Sequence, residues 1–331
     1  MKLWLFTNII FLLVQWELCI ANILLPLQAT TKLVSPSQHP HQLSNTYYLN
    51  TCPALEVIIH QKMEAWFKTD PTLPASIIRL HFHDCAVRGC DASILLNHAG
   101  SERTAFASKT LRGFNVINDI KAEADTRCPK TVSCADILTA AARDATVLLG
   151  GPFWEVSFGR KDGRISIAKE ADMVPQGHEN VTSLIDFFQS RGLNELDLVV
   201  LSGSHTIGRS SCYSILQRLA KPDFSSLDRN HWRSLIRQCR WSSNLVNLDV
   251  TTPTAFDTAY YTNLQMKKGL LSTDQALYSD PRTAPFVNAM MSQPFLFTSQ
   301  FLVSMVKLGN TQVLSGPNQG EIRLNCNNLN P

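Results

Sequence analysis

Charge is scarce in this chain and almost evenly signed. Of 331 residues only 17% are Asp, Glu, Lys or Arg, and 30 basic against 27 acidic residues leave a formal net charge of +3. With no basic run, that balance gives nucleic acid no footing as a partner. Beyond the N-terminus no apolar run reaches the roughly 18–20 residues of a membrane span, so no stable membrane insertion is expected. No two cysteines have the CxxC spacing that favours zinc. Internal repeats and low-complexity tracts are absent, and strand-like alternation is rare, with 154–158 the best candidate.

What is present is core material and cysteine. The chain is 44% hydrophobic, enough to bury a sizeable core in one large or two ordinary domains. Lys2 precedes an apolar run over residues 3–14, and Cys19-Ile20-Ala21 offers small residues at cleavage positions. Gln15 and Glu17 interrupt the run, so residues 1–21 read as a secretory signal cleaved near Ala21 rather than as an anchor. Nine cysteines are present, at 19, 52, 85, 90, 128, 134, 212, 239 and 326. Cleavage removes Cys19 and leaves an even number, which in a secreted chain favours disulfides, although spacing alone leaves 105 pairings open. Asn180-Val181-Thr182 is an N-glycosylation sequon.

Residues 22–41 read as a spacer, ending in Ser35-Pro36-Ser37-Gln38-His39-Pro40-His41, with the folded domain over 42–331. The pattern from there is mainly helical. Apolar spacing predicts helices over 55–67 and 116–124, and Pro74 in a first turn predicts one over 75–85. Ser133 and Asp136 resemble a capping box opening an alanine-rich helix that stops at Gly150-Gly151-Pro152. Thr182 is expected to cap a helix to Ser190, and Asn194 one over 195–202 stopped by Gly203. Further helices are predicted over 256–264, 283–291 and 298–308.

Two segments carry chemistry. In Arg79-Leu80-His81-Phe82-His83-Asp84-Cys85, a helix puts Arg79 and His83 on one face. His83 alone reads as an ordinary buried histidine. Beside a guanidinium it becomes a base that can move a proton between peroxide oxygens while Arg79 stabilises developing negative charge. His81 lies on another face and reads as structural. In Leu201-Ser202-Gly203-Ser204-His205-Thr206-Ile207-Gly208, a lone histidine sits among small residues that a flat cofactor can approach. One histidine to ligate a metal, and a histidine with an arginine to work on bound oxygens, is the equipment of a haem peroxidase. A carboxylate on the other nitrogen of His205 would make it more electron-donating; Asp249, Asp257 and Asp274 are all candidates. Asp84, Asp91 and Ser93, with carbonyls in a glycine turn, suit calcium, the alternative being a solvated acidic loop.

These residues resemble the secretory plant haem peroxidases of class III, the family of horseradish peroxidase. The likeness runs from Gln42 to Cys326 through stretches at 48–53, 79–93, 111–114, 128–136, 150–162, 201–208, 248–257, 269–275 and 322–326. It implies a mainly α haem peroxidase fold, two helical halves enclosing haem b, with very little β. By the same resemblance His205 is the axial iron ligand and Asp274 its partner. His83 is the acid/base, Arg79 the stabiliser, and two calcium ions are implied. One calcium would use Asp84, Val87, Gly89, Asp91 and Ser93. The other would use Thr206, Asp249, Thr252, Asp257 and the Ala255 carbonyl. Glu102 would join the distal network and Pro175 the substrate edge. The implied disulfides are Cys52–Cys128, Cys85–Cys90, Cys134–Cys326 and Cys212–Cys239.

Some positions depart from the family pattern. Ser108 stands where an asparagine usually bonds the distal histidine; its hydroxyl is shorter but can accept a proton from the imidazole. Ala86 replaces an aromatic and is expected to enlarge a pocket wall. Thr72 occupies the place of an arginine that can reach a haem propionate.

The implied activity is hydrogen-peroxide-dependent oxidation of small phenolic donors by a secreted monomer. With five residues after Cys326, no long vacuolar tail is expected, so apoplast or cell wall is favoured over vacuole. One alternative, to which Ser108 leans, is a catalytically impaired, calcium-binding wall protein. A zinc or thiol enzyme is another, and it requires free cysteines.

Overall fold

A computed structural model of the chain describes residues 43–331; the expected signal, spacer and Cys19 lie outside the described residues. Over these residues the protein is 53% helical and 4% strand, which bears out the mainly α expectation.

The first four helices are α1 (Leu55–Thr69), α2 (Leu73–Val87), α3 (Phe114–Arg127) and α4 (Cys134–Leu148). Helix α4 is the hub. Its alanines, from Ala135 to Ala145, are buried and let α1 and α2 approach closely. Ser133 caps α4 by accepting from the Asp136 amide at 3.1 Å. The reciprocal half of the box is not made. Asp136 instead accepts from the Tyr48 hydroxyl at 2.9 Å, the Gly159 amide at 2.8 Å and Arg160 at 2.9 Å, because a buried carboxylate is held better by three donors than by one.

The second half begins with α5 (Val181–Gln189) and α6 (Glu195–Ser202). Asn180, not Thr182, caps α5, its side chain accepting from the Ser183 amide. Asn194 caps α6 in a full box with Asp197. Gly203 does not stop the chain turning. It keeps a right-handed helical φ of −59°, and the backbone tightens into a 3-10 turn over Gly203–Thr206. The glycine is needed for space, since a Cβ there would lie 2.2 Å from the Tyr261 hydroxyl.

Then follow α7 (Leu216–Ala220), α8 (Arg229–Gln238), α9 (Ala259–Gln265), α10 (Ser272–Ser279), α11 (Ala284–Ser292) and α12 (Pro294–Gly309). Helix α12 packs on both α2 and α6 and so joins the halves. The sequence pattern misses α7, α8 and α10, which are short or strongly polar. The strand expected over 154–158 is extended chain with one bridge, Ser44 to Phe158. The strands that do form, β1 (Arg209–Ser211) and β2 (Leu245–Asn247), are antiparallel with Ser210 opposite Val246. They are too short to show a period.

The cysteines pair as Cys52–Cys128, Cys85–Cys90, Cys134–Cys326 and Cys212–Cys239. No free thiol remains among the described residues, which removes the thiol-enzyme reading. His81, Cys85 and Cys90 lie together, but both sulfurs are in a disulfide and are closed to zinc. Among the described residues no helix is long and apolar enough to cross a membrane.

Candidate active site

Helix α2 presents Arg79 and His83 one turn apart, as their spacing predicts. Arg79 donates to the Thr110 hydroxyl at 2.9 Å and to the Ala107 carbonyl at 3.2 Å. His83 is 4% exposed. Burial, and then the positive charge of Arg79, hold its imidazole well below the ordinary histidine range. It is therefore neutral and free to accept a proton at any pH near neutrality.

Its ring is otherwise unsupported. Nδ1 of His83 and Oγ of Ser108 are both buried without a hydrogen-bond partner. The expected Ser108–His83 bond is not formed. Ala86 is fully buried in a cluster with Ala107, Val174, Phe82 and Phe187, and its carbonyl accepts from Arg191 at 2.7 Å. The Thr72 hydroxyl is committed to Asp70 and Arg112.

On the other side, the 3-10 turn after α6 carries His205. Its Nδ1 lies 2.8 Å from Oδ1 of Asp274, in the first turn of α10. Asp249 and Asp257 lie elsewhere, so of the three carboxylates only Asp274 reaches this ring. Burial alone would lower the His205 pKa, but the Asp274 charge and hydrogen bond outweigh it and raise it. The same Oδ1 accepts from the Tyr260 hydroxyl at 3.0 Å. No spacing along the chain singles out Tyr260 for this role, because it lies within a predicted helix, 14 residues from Asp274.

The two histidines share one electrostatic environment, since the Arg79 charge acts on both. His205 keeps 35% of its side-chain surface accessible and Arg79 is likewise exposed, although both lie deep in the protein. Such surface faces an internal void. Nε2 of His205 points away from its carboxylate and is free to bind a metal. This donor set fits a flat iron-bearing ring gripped at His205 and faced by His83 and Arg79.

Two polar clusters flank the site. Asp84 accepts from the Ala92 amide at 2.9 Å and the Ile94 amide at 3.4 Å, and Asp91 from the Ser93 amide at 3.0 Å. Burial, and then the neighbouring Asp91 charge, push the Asp84 carboxyl well up. Burial raises Asp91 to about 6 and Glu102 to about 8. Neither Ser93 Oγ nor either Glu102 carboxylate oxygen has a partner, and none of the three acids is in an ion pair among the described residues. Val87 ends α2 and Gly89 turns at φ +94°, where a Cβ would strike the Gln312 carbonyl. Such a cluster of hard oxygens, with no ion-pair partner in contact among the described residues, fits calcium.

In the second cluster, the Thr206 hydroxyl lies 3.2 Å from both Asp249 and Asp257, and that of Thr252 3.0 Å from Asp257. Ala255 closes the loop, its amide donating to the Thr252 carbonyl. No Lys, Arg or His pairs with either aspartate among the described residues, so this cluster also fits a divalent cation.

Pro175 is half-buried, at the start of a loop held by Glu179. The Glu179 carboxylate accepts from the amides of Gln176, Gly177 and His178. Gly177 in turn accepts from the Ser272 and Thr273 amides, so this loop is tied to the helix that carries Asp274. Phe106 and Tyr213, both exposed, meet with ring centroids 5.7 Å apart. They bridge the turn that receives Arg79 and the segment after His205, a pairing invisible in the sequence. Asn180 is exposed and caps α5 through its oxygen.

A peroxidase family model matches residues 59–293. Peroxidase 7 of Arabidopsis thaliana is 51% identical over 295 residues, covering 87% of this chain and 84% of that protein. Peroxidase 2 of Oryza sativa subsp. indica is 44% identical over 296 residues, covering 87% and 93%. Peroxidase 71 of Arabidopsis thaliana is 41% identical over 291 residues, covering 86% and 88%. With that breadth of match, and with a histidine–carboxylate pair and a neutral histidine that both feel one arginine's charge, the chain belongs to the class III plant peroxidases.

Proposed function

We propose that this peroxidase oxidises small phenolic donors with hydrogen peroxide, using haem b held at His205 and two structural calcium ions. One peroxide and two phenols become two waters and two phenoxyl radicals, each phenol losing one electron and one proton. Haem b held at His205 would supply the two electrons that O–O cleavage requires and would regain them one at a time from the two phenols. His83, held neutral, accepts a proton from one peroxide oxygen and delivers it to the other, which departs as water. Arg79 lies beside it to stabilise the negative charge that builds up as that bond lengthens. Asp274 accepts from His205 Nδ1–H and so holds the ring's tautomer and donor strength. Asp84, Val87, Gly89, Asp91 and Ser93 would hold one calcium, with Glu102 linking it to the distal pocket. Thr206, Asp249, Thr252, Ala255 and Asp257 would hold the other. Pro175 and the Phe106–Tyr213 pair would border the edge where donors approach.

The observation that supports this reading is the His205–Asp274 pair lying within the field of the same Arg79 charge that helps hold His83 neutral. A merely structural calcium protein has no use for that arrangement, and it favours catalysis over the impaired alternative. The reading includes a leader over residues 1–21, a spacer over 22–41, a catalytic domain over 42–331, glycosylation at Asn180 and release to the apoplast or wall as a monomer. Four disulfides suit such an oxidising compartment.

The test is the haem-loaded protein with guaiacol and peroxide. His83→Ala should lower the rate of peroxide consumption on the order of 10²–10⁴-fold while its haem absorption is retained. A variant that keeps its rate would remove His83 from the mechanism.

A further inference from the structure

A cavity of about 510 Å³ opens among the first three helices, and neither His83 nor His205 lines it. Its walls come from α1, the first turns of α2 and α3, and loops at Asn97, Arg103 and Asn327. The volume is that of a small-ligand site.

Its chemistry is uneven. Arg112 is already neutralised by Asp70 and tied to Thr72 at 3.0 Å. Arg103 is not neutralised. It lies 3.9 Å above the Phe114 ring and donates to the Asn327 side chain at 3.0 Å, and no carboxylate pairs with it among the described residues. Trp66 has its indole N–H committed to Asp119 at 2.9 Å, which leaves only its apolar ring surface for contact. The side chains of Asn97, Asn115 and Asn118 line the cavity and make no hydrogen bond within the described residues.

An unneutralised guanidinium asks for a carboxylate. Three unpaired amides, each able to donate and accept, ask for a ligand dense in hydroxyls. Aromatic surface at the wall suits the apolar face of a pyranose ring. An aromatic acid would answer the arginine but leave the amides facing carbon, at a desolvation cost for each. We propose that this cavity binds a carboxylated saccharide of about two sugar units, a uronate, with its carboxylate on Arg103 and its hydroxyls on Asn97, Asn115 and Asn118.

The experiment is isothermal titration of the haem- and calcium-loaded protein, at low salt, with digalacturonate, cellobiose and benzoate. Digalacturonate is expected to bind saturably and the other two at least roughly tenfold more weakly, cellobiose because it lacks the charge-assisted bond to Arg103 and benzoate because it leaves the amides unmet. Asn115→Ala and Asn118→Ala remove side chains without intramolecular partners, so they keep the fold and the guaiacol turnover. Each should weaken digalacturonate about fivefold, and Arg103→Gln roughly tenfold or more. Absence of saturable binding at millimolar ligand would overturn the proposal. So would cellobiose or benzoate matching digalacturonate, or affinity unchanged in the two asparagine variants.

Discussion

Replacing Ser108 with asparagine should make this enzyme react faster with peroxide. Two polar atoms lie buried without partners in the distal pocket, Nδ1 of His83 and Oγ of Ser108. Each residue is only 4% exposed, so water does not readily make up the loss, and an unmet buried polar group costs about 1–3 kcal/mol. An asparagine is one atom longer and is expected to bring an amide oxygen to accept from Nδ1–H. That bond has two effects. It fixes the tautomer whose lone pair sits on Nε2, the nitrogen that must take the peroxide proton. It also strengthens as the ring becomes cationic, because a charge-assisted bond is roughly twice as strong as a neutral one. Only that difference, about 1–1.5 kcal/mol, lowers the barrier, which corresponds to about a five- to tenfold faster reaction. The neutral bond itself should add about 1 kcal/mol of stability, or a Tm rise of roughly 2–4 °C. Stopped-flow mixing of the ferric protein with peroxide at pH 7 reads the rate, and calorimetry reads the Tm. Ser108→Ala is the control and should stay within about twofold of the parent rate, since the hydroxyl bonds nothing. An asparagine variant that melts higher but reacts no faster would refute the claim that Nδ1 governs the basicity of His83.

Tyr260→Phe removes one of two donors on Asp274 Oδ1. The carboxylate then pulls harder on His205, and the iron–histidine stretch of the ferrous protein in resonance Raman should move to higher frequency; an unmoved band would exclude Tyr260 from this role. Chelating calcium should lower the Tm by about 10 °C, because Asp84, Asp91 and Glu102 are left buried without a counter-ion. Asp84→Asn should shrink that drop, and an equal drop in both proteins would place the sensitivity elsewhere. His231 is held to about 4, by burial first and then by Lys268 and Arg218. The unfolded chain, with an ordinary histidine near 6.5, therefore binds the proton first as pH falls. Stability should drop between about pH 6.5 and 4 by on the order of 2–3 kcal/mol, and His231→Gln should flatten that part of the Tm–pH curve. Parallel curves for parent and variant would show that another group is responsible.

Local order decided how much of this could be read in advance. The one-turn spacing of Arg79 and His83 is a property of any α-helix, so the distal pair was legible from seven residues. Helix caps at Ser133 and Asn194 were legible for the same reason, since a cap is satisfied by amides two or three positions away. Asn180 displaced Thr182 as the cap of α5 because either side chain can serve and only the path of the entering chain chooses between them. Gly203 looked like a stop signal, but its missing Cβ serves Tyr261, a neighbour 58 positions away in sequence.

By itself, then, the sequence determined the helical class, the distal pair, the lone histidine and the chemistry that oxygen-rich loops can hold, all of which depend on residues close along the chain. The tertiary structure alone decided which carboxylate meets His205, because Asp274 is 69 residues away and equals Asp249 and Asp257 in composition. It also decided that Tyr260 shares that carboxylate, that Ser108 and His83 make no bond, and that an arginine, two aromatics and three asparagines from separate segments face one cavity. Contacts of that kind are set by how helices pack, and no period or spacing along a chain encodes them singly.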